Sequence, residues 1–466
     1  MIHRLHRAGA RGLRLGLAAV VITGAAAIAS GARPAQRGAV TTGAAPPATS
    51  ATLRIWYATD DPTEATWIQD LVRRFNATHR GVTATLTPYG LDDLNGKMRL
   101  ALAAGRPPDL VYTTPRGPGL PAYVRAGKLR DLTAAARAHG WASALRPGLL
   151  TDYNRLLAAN GGRAAAGHVY AVPYAVAAVG VLYNKALFRR LGLRVPRTLG
   201  ELGASLARVK RAGLTPLGFG NADGWVGDDW YLTLVNAGVA PSTLAGALRL
   251  SPKFSFTGVP YRVAAATLQD WAKRDYFTHG FGGLDAQDSV EAFFEGHTAM
   301  QLVSSSENSQ ILTLVKESGL DVGVFAFPSA RAGAAPVMPQ SGYAGWAIPA
   351  AARDPSTAVD FITAMVSAQT STTLLGHGML PARAVSVRSA RAAAPFQRDY
   401  IAALDSATPG VYLDSAPIPN MNATMEANVQ LLVQNVESPD FLVHSLQEVY
   451  ASRGVRASST RTDGEF

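Results

Sequence analysis

The residues of this chain that could do chemistry include three adjacent pairs of acids. These pairs are Asp60-Asp61, Asp92-Asp93 and Asp228-Asp229, and each one falls in a predicted loop. A glycosidase could draw its acid and its base from such a pair, but it needs the two carboxyl groups at a defined separation, which a sequence does not set. Acidic pairs in loops are also ordinary turn and cap residues. We therefore interpret them first as hydrogen-bond acceptors for a hydroxyl-rich ligand.

Two tryptophans lie in the polar stretch "NADGWVGDDW", residues 221–230. An indole face can stack on the C–H face of a sugar ring while neighbouring carboxylates and amides bind the hydroxyl groups. Trp225, with Asp223 beside it, is the predicted platform for such a ligand. The alternative is that Trp225 or Trp230 packs this loop onto its own domain.

Motifs for catalysis, cofactors and metals are absent from the sequence. There is no G-x-S-x-G, G-x-x-x-x-G-K-[ST] or H-E-x-x-H motif, and the nine His show no close pairs at the spacing of metal ligands. The chain has no Cys, which excludes disulfides, thiolate metal sites and cysteine nucleophiles. We expect no catalytic residue, no metal and no cofactor.

The N-terminus predicts export. A basic segment is followed by the apolar run "LAAVVITGAAAIA" and the small-residue site Ala27-Ile28-Ala29, as in a secretory signal at residues 1–29. An uncleaved membrane anchor is the alternative, but the run is shorter than the roughly 20 residues that span a bilayer. Residues 30–50 predict a flexible tether without a lipid-modified Cys. We expect an extracellular or cell-surface protein.

Length and charge limit the classes of protein further. At 466 residues and 48% hydrophobic content, the chain predicts two domains. Six Arg in the first fifty residues account for more than half of the net charge of +11. The remaining charge is too diffuse to indicate a nucleic-acid partner, and we expect a monomer.

Strand and helix patterns alternate along the chain and predict an α/β fold. Residues 53–58, 82–89 and 109–114 are strand-like, and amphipathic helices separate them. The pattern restarts with two strands at residues 168–176 and 179–184, followed by a helix. Such alternation is typical of a parallel sheet covered by helices, with ligands beyond the carboxyl ends of the strands.

Several separated stretches together resemble one family. They are "AAGRPPDLVY" (103–112), "VYAVPYAVAAVGVLYNKALFRRLGLRVPRTLGEL" (169–202), "FFEGHTAM" (293–300), "SGYAGWAIP" (341–349) and "HGMLPAR" (377–383). In this order and spacing, over almost all of residues 51–450, they resemble the extracellular solute-binding proteins of ABC importers. The similarity is to the carbohydrate-binding group that includes maltose- and glycerophosphate-type binders.

The resemblance implies a two-lobed periplasmic-binding-protein-like fold of type II, with a hinge between the lobes and the ligand in the cleft. Lobe 1 would hold residues 51–128 and 302–347, and lobe 2 would hold residues 129–301 and 348–450. Residues 451–466 would be a disordered tail. Closure of the lobes on the ligand would create the shape that a membrane permease recognises.

The resemblance also implies where the ligand is held. Ser304–Ser306 lie where many members carry a Trp, so one stacking contact is missing from the pattern. The predicted ligand-binding residues are Trp56, Asp60, Asp61, Thr114, Tyr174, Asp223, Trp225, Ser305, Ser306, Gly342, Tyr343 and Arg383.

The function implied is capture of a neutral mono- or oligosaccharide and its delivery to the transmembrane subunits of an ABC permease. The segment "PIPNMNATMEANVQ" has no Arg or Lys where glycerophosphate-type relatives place a phosphate-binding Arg, which favours a neutral ligand. The positive charge of Arg383 keeps an anionic or other polar solute as the alternative ligand. Two further hypotheses are a secreted glycoside hydrolase that uses a loop Asp pair and a surface-bound binder without a transporter.

Overall fold

A computed structural model describes residues 51–58, 62–114, 120–158, 167–391, 393–413, 418 and 420–459. The predicted signal at residues 1–29, the predicted tether at residues 30–50 and the predicted ligand residues Asp60 and Asp61 lie outside the described residues. Residues 460–466 of the predicted tail lie outside them as well, while the last helix continues through Ser459.

Helices and strands alternate through most of the described chain. The strands are β1 (Ala51–Ala58), β2 (Val82–Tyr89), β3 (Leu110–Thr113), β4 (Ala171–Asn184), β5 (Thr215–Gly218), β6 (Thr298–Ser304), β7 (Val322–Phe325), β8 (Val337–Ala347) and β9 (Thr408–Val411). The helices are α1 (Pro62–Thr78), α2 (Leu91–Ala103), α3 (Leu120–Arg125), α4 (Thr133–Ala138), α5 (Trp141–Ala144), α6 (Leu149–Ala158), α7 (Lys185–Arg190), α8 (Leu199–Arg211), α9 (Trp225–Gly238), α10 (Pro241–Leu248), α11 (Val259–Lys273), α12 (Ala286–Phe294), α13 (Asn308–Ser318), α14 (Pro355–Met365), α15 (Ala368–Gly376), α16 (Pro395–Ser406), α17 (Met421–Val433) and α18 (Pro439–Ser459). In these parts of the chain, no helix combines the length and the apolar character needed to cross a bilayer.

The strands form a mixed sheet in the order β2-β1-β3-β8-β4-β6-β5, with β7 paired to β4 and β9 paired to β8. β1 runs parallel to β2 and β3, as the sequence predicts. β8 is antiparallel to both β3 and β4, so the sheet is not parallel throughout. The predicted α/β class is confirmed, but the sequence does not predict the antiparallel pairs that β8 forms.

β4 is one continuous strand of 14 residues, whereas the sequence predicts two. Its first part, Ala171–Ala178, pairs with β8, and its second part, Val179–Tyr183, pairs with β6. The pairing with β8 shifts around Pro173 and Ala175, which is a local irregularity of the kind that accommodates a proline without an N–H donor. The Pro173-Tyr174 interruption is therefore a bulge within a strand.

Two large clusters of buried apolar side chains flank this strand. The first cluster includes residues of β1, β3, α1, α6, α14, α15 and α16. The second includes residues of α8, α9, α10, α11, α17 and α18. Val176 and Ala178 of β4 belong to the first cluster, and Val179 and Val181 belong to the second. One strand thus contributes to both cores, which is why almost every residue in it is apolar.

A buried carboxylate ties three separate segments together in the first core. Asp109, which is fully buried, accepts hydrogen bonds from Arg54 N (3.0 Å), Arg54 Nε (2.9 Å) and Arg353 N (2.9 Å). Burial alone would raise the pKa of Asp109, but these hydrogen bonds and the Arg54 guanidinium outweigh it and lower the pKa below its ordinary value. The carboxylate therefore joins β1, the turn before β3 and the segment after β8.

Three other predicted boundaries are wrong. The stretch "SVEAFFEGHTAM", residues 289–300, predicts a helix to its end, but Thr298–Met300 begin β6. The predicted loop around Trp225 and Trp230 is the start of α9, and Trp230 lies inside that helix with 1% of its surface exposed. The resemblance implies a cleft loop at Gly342 and Tyr343, but both residues lie in the middle of β8. In each case packing against neighbouring elements decides the local structure.

The close packing of α6 on β8 gives a test of this arrangement. A Cβ atom at Gly342 would lie 2.3 Å from Cδ2 of the fully buried Tyr153 and 3.0 Å from Cβ of Pro173. We expect Gly342→Ala to lower the free energy of unfolding by about 1–3 kcal/mol, because the ring has no room to shift. Urea denaturation measures this change.

Gly376→Ala is the matched control, because a Cβ atom there has no neighbour within 4 Å and the residue lies in α15. It should be neutral or stabilising by up to about 1 kcal/mol. Equal stability of the two variants would contradict the packing described here.

Candidate functional site

Trp225 owes its position to a tight turn at the start of α9. Gly224 adopts a φ of 85°, which favours glycine, and a Cβ atom there would lie 3.1 Å from Glu426 Cβ. Asn221 Oδ1 accepts a hydrogen bond from Gly227 N (2.7 Å), and Gln430 Nε2 donates to Asn221 O (2.9 Å). Trp225 is consequently the first residue of the helix, with 37% of its surface exposed.

The exposed indole lies at a small pocket, here named the Trp225 pocket. The side chains come from the first turns of α9 and α12, from β6 and from the short turn of 3-10 helix that follows β6. The lining residues are Trp225, Val226, Asp229, Ala286, Val290, Gln301, Leu302, Ser304 and Glu307. The pocket encloses about 10 Å³, which is about the room that one water molecule or one hydroxyl group needs.

Glu307 is held by a capping box at the end of β6. Ser304 N donates a hydrogen bond to Glu307 Oε2 (2.8 Å), and the Ser304 side chain accepts one from Ser306 N (3.3 Å). Although the residue as a whole is half-buried, loss of hydration around its carboxyl group raises the pKa of Glu307 to about 7. The Ser304 N–H lowers this pKa in part, and the Asp229 carboxylate raises it. Glu307 therefore changes charge near neutral pH.

Asp229 connects the Trp225 pocket to the strands that run between the two cores. It is half-buried, and it also lines a second small pocket together with Val179 of β4, Pro339 of β8 and Tyr412 after β9. The buried amide of Asn236, two turns further along α9, bonds Val411 N (2.7 Å) and Val411 O (3.0 Å). This bonding fixes β9 against α9 and so fixes the wall around Asp229.

Tyr174 lies in the first core, with 1% of its surface exposed. Its hydroxyl donates to Glu64 Oε1 (2.5 Å), and its ring packs against Trp67 and Trp346 at centroid distances of 5.5 and 6.0 Å. Burial raises the pKa of Tyr174 well above its ordinary value, and the charge of Glu64 raises it further. The hydroxyl is thus engaged within the protein, and contact of Tyr174 with a ligand stays a prediction.

Ser305 has a structural role next to the bulge of β4. Its hydroxyl donates to Val176 O (2.8 Å) and accepts from Ala178 N (2.9 Å), with 3% of the residue exposed. These bonds continue the backbone bonding of β4 beyond its last ladder pair with β6, Val179 with Ser304. Ser306 beside it is exposed and lies next to the Trp225 pocket.

The remaining predicted ligand residues are spread over several elements. Trp56 in β1 is half-buried, with its ring 5.3 Å from that of Tyr89, and Asp223 is exposed beside the Trp225 turn. Thr114, after β3, has a buried Oγ1 without a hydrogen-bond partner. Arg383 is half-buried and donates from Nη1 to Val366 O (3.2 Å) at the end of α14.

Gly342 and Tyr343 face different surroundings in β8. Gly342 is buried under the Tyr153 ring, whereas Tyr343 is half-buried and close enough to Tyr174 to raise its pKa. Six of the predicted residues therefore fall into two sets. One set is Asp223, Trp225, Ser305 and Ser306, and the other is Tyr174 and Tyr343.

Four polar residues of the Trp225 pocket are absent from the predicted ligand-binding residues, namely Asp229, Gln301, Ser304 and Glu307. Of these, the sequence offers Asp229 only as one of the paired acids that accept hydrogen bonds from a hydroxyl-rich ligand. The spacing Ser304-x-x-Glu307 fits a capping box, which could have placed Glu307 at an element boundary. Gln301 lies in the middle of the apolar β6 and carries no such signal.

The Trp225 pocket carries acidic and neutral polar groups. Among its described lining residues, two are acids and none is Lys or Arg. Within the described parts of the chain, no three His, Asp or Glu side chains group closely enough to hold a metal ion. The arrangement offers acceptors for hydroxyl groups and an aromatic face beside them.

Solved structures share this fold over most of the chain. A chitin oligosaccharide binding protein has a TM-score of 0.68 at 23% identity, covering 86% of this chain and 98% of its own. A probable secreted solute-binding lipoprotein from Streptomyces coelicolor has a TM-score of 0.71 at 19% identity, covering 86% and 98%. RafE in complex with raffinose has a TM-score of 0.66 at 18% identity, covering 85% and 98%.

The two-lobed solute-binding fold is thereby confirmed. A curated relative, the multiple sugar-binding protein of Streptococcus mutans, is 22% identical over 271 residues. That match covers 57% of this chain and 60% of the relative, so the chain spans somewhat less than two thirds of its length.

The sequence profile of one family matches residues 59–371, which is about two thirds of the chain. This range begins just after β1 and runs through α14 into the first turn of α15, and it includes the Trp225 pocket and the continuous strand β4. The chain belongs to the bacterial extracellular solute-binding protein family.

Proposed function

We propose that this protein captures a neutral mono- or oligosaccharide outside the cytoplasm and delivers it to the permease of an ABC importer. The observation that carries the proposal is the exposed face of Trp225 beside the acidic pocket. An indole face next to hydrogen-bond acceptors suits a sugar ring, which has an apolar C–H face and hydroxyl groups at its edge.

The size of the Trp225 pocket suggests how the ligand is oriented. With room for about one hydroxyl group, the pocket receives a single substituent, and the ring lies over the indole outside. Asp229 or Glu307 accepts the one hydrogen bond that this hydroxyl donates. A phosphate or carboxylate in the same place would meet two acids without a cation, which disfavours an anionic ligand such as a glycerophosphate.

The two clusters of buried side chains are, in our proposal, the cores of the two lobes. Residues 129–150 and 358–404 contribute to the first cluster, so we propose that they belong to the first lobe. This division differs from the one that the resemblance implies. The lobes would close on the ligand about β4, β8 and β9, because these strands connect elements of both cores.

The relatives support a carbohydrate in general terms. One similar structure binds chitin oligosaccharides, another is in complex with raffinose, and the curated relative binds multiple sugars. These ligands differ among proteins of the same fold, so the particular sugar depends on side chains such as Trp225. We also propose that residues 1–29 direct export of the protein. The exported protein would be extracellular or at the cell surface, without a lipid linked through Cys.

Removal of the indole is the direct test of the proposed stacking. Trp225→Ala should weaken binding of the best saccharide in a broad neutral panel by about tenfold, because the stacking face is lost. Trp225→Phe, which keeps an aromatic ring, should lose less. Isothermal titration calorimetry at constant pH measures the affinities.

Phe441→Ala is the matched control, since Phe441 is an exposed aromatic residue on α18 outside the pocket. It should bind as the wild type does. The proposal is wrong if Trp225→Ala binds the saccharide as tightly as Phe441→Ala does.

A second candidate, glycoside hydrolysis, is favoured by one observation. A carboxyl group with a pKa near 7 beside a second carboxylate is a pattern found in glycosidases. The titrated saccharides should be recovered intact if the protein is a binder. Release of new reducing ends that Glu307→Gln abolishes would indicate a hydrolase instead.

The pKa of Glu307 also predicts how stability depends on pH. Because its pKa in the folded protein is raised from 4.5 to about 7, the folded state holds the proton more tightly than the unfolded state does. The free energy of unfolding should fall as the pH rises from 4.5 to 7. Glu307→Gln cannot ionise, and it should be more stable than the wild type by about 1–2 kcal/mol at pH 8 after allowance for partial exposure.

Urea denaturation at pH 4.5 and pH 8 measures this difference. Glu448→Gln, at an exposed position on α18, is the control and should leave the pH profile unchanged. Parallel profiles for wild type and Glu307→Gln would show that the Glu307 carboxyl group is hydrated.

A further inference from the structure

A larger cavity lies apart from the Trp225 pocket. It has a volume of about 260 Å³ and shares no lining residue with that pocket. Ligand pockets for drug-sized molecules are roughly 300–1,000 Å³, so this one suits a somewhat smaller molecule. We name it the α6–α10 cavity, after the two helices that form its opposite walls.

The α6–α10 cavity is lined from both cores. Leu149 of α6 belongs to the first cluster and Leu248 of α10 belongs to the second. The floor is formed by Gln340 and Ser341 of β8 and by residues 409–412 at β9. A molecule in this cavity would therefore contact the strands that run between the cores.

The walls of the cavity are mainly aliphatic. Pro147, Leu149, Pro241, Ala245 and Leu248 contribute proline rings and short or branched alkyl groups. Such walls bind an apolar body of similar size by excluding water from it. Tyr412 adds one aromatic ring beside β9, but no Trp is among the described lining residues, so the indole face of the Trp225 pocket has no counterpart here.

The two charged side chains of the cavity, Asp152 and Arg155, have opposite charges. Arg155 Nη1 lies 2.6 Å from Asp152 Oδ1, and the two side chains are 39% and 58% exposed. An ion pair this exposed is worth little to stability, so a ligand can exchange with it at small cost. Gln340 also has a buried Oε1 atom without a donor, which leaves an acceptor unpaired.

We propose that the α6–α10 cavity binds a zwitterionic amino acid with an aliphatic side chain. Its carboxylate accepts from Arg155, its ammonium group donates to Asp152 and Gln340, and its side chain lies against Leu149 and Leu248. The ammonium and carboxylate groups of such a molecule are both attached to its α-carbon, so they lie close together, as the neighbouring charges of Asp152 and Arg155 require. The ligand carries no net charge and therefore matches a site with one acid and one base.

L-Leucine is the probe for this site, and ligand-observed saturation-transfer NMR at millimolar concentration is the measurement. The wild type should transfer saturation to leucine. Ala245→Phe, which fills the cavity, should abolish the signal, and Thr243→Phe, on the exposed face of the same helix outside the cavity, should retain it.

A second variant keeps the test decisive if Ala245→Phe does not fold. Arg155→Met removes an exposed guanidinium and should weaken leucine binding about tenfold or more, because a charge-assisted hydrogen bond is lost. Arg190→Met, at an exposed position on α7, should bind leucine as the wild type does.

The proposal is overturned if leucine gives no signal with the wild type, or if folded Ala245→Phe or Arg155→Met gives an undiminished signal. It is also overturned if isocaproate, which lacks the ammonium group, binds as well as leucine.

Discussion

The continuity of β4 across two hydrophobic cores is the constraint on which the rest of this structure depends. A strand buried on both faces must be apolar along its whole length, and it must satisfy its backbone hydrogen bonds with different partners in each half. β8 serves the first half, while β6 and β7 serve the second. Just beyond the last pair of β4 with β6, which is Val179 with Ser304, Ser305 supplies the bonds to Val176 and Ala178. The same serine begins the turn that carries Glu307, so the strand and the Trp225 pocket are built together.

This linkage explains why polar groups concentrate at the end of β6. The turn after β6 must be fixed to hold the irregular part of β4, and a capping box from Ser304 to Glu307 fixes it. The cost is a carboxyl group with reduced hydration, which shows in its raised pKa. A ligand hydroxyl that enters the pocket would restore hydrogen bonds to this group. Structural support and ligand recognition would then share the same side chains.

Sequence patterns predicted the α/β class and most individual elements, because amphipathic periodicity and turn residues are local properties. They do not predict that β4 is continuous, because a proline such as Pro173 usually ends a strand. The continuity is visible only in the pairing of β4 with β8, which shifts at this point. The sequence predicts Trp225 as an exposed ligand platform, but its place at the first turn of α9 also depends on Gln430, which is distant in sequence and donates to Asn221 O. The burial of Tyr174 against Trp67, Glu64 and Trp346 also arises from three separate segments. Local signals thus identified candidate residues, and tertiary contacts decided which of them lie together.

A crystal structure of the protein with the tightest-binding saccharide of a broad neutral panel is the most direct test of ligand binding at Trp225. We expect a sugar ring stacked on Trp225, with one hydroxyl in the pocket and hydrogen-bonded to Asp229 or Glu307. A saccharide bound away from Trp225, or no binding by any member of the panel, would contradict it.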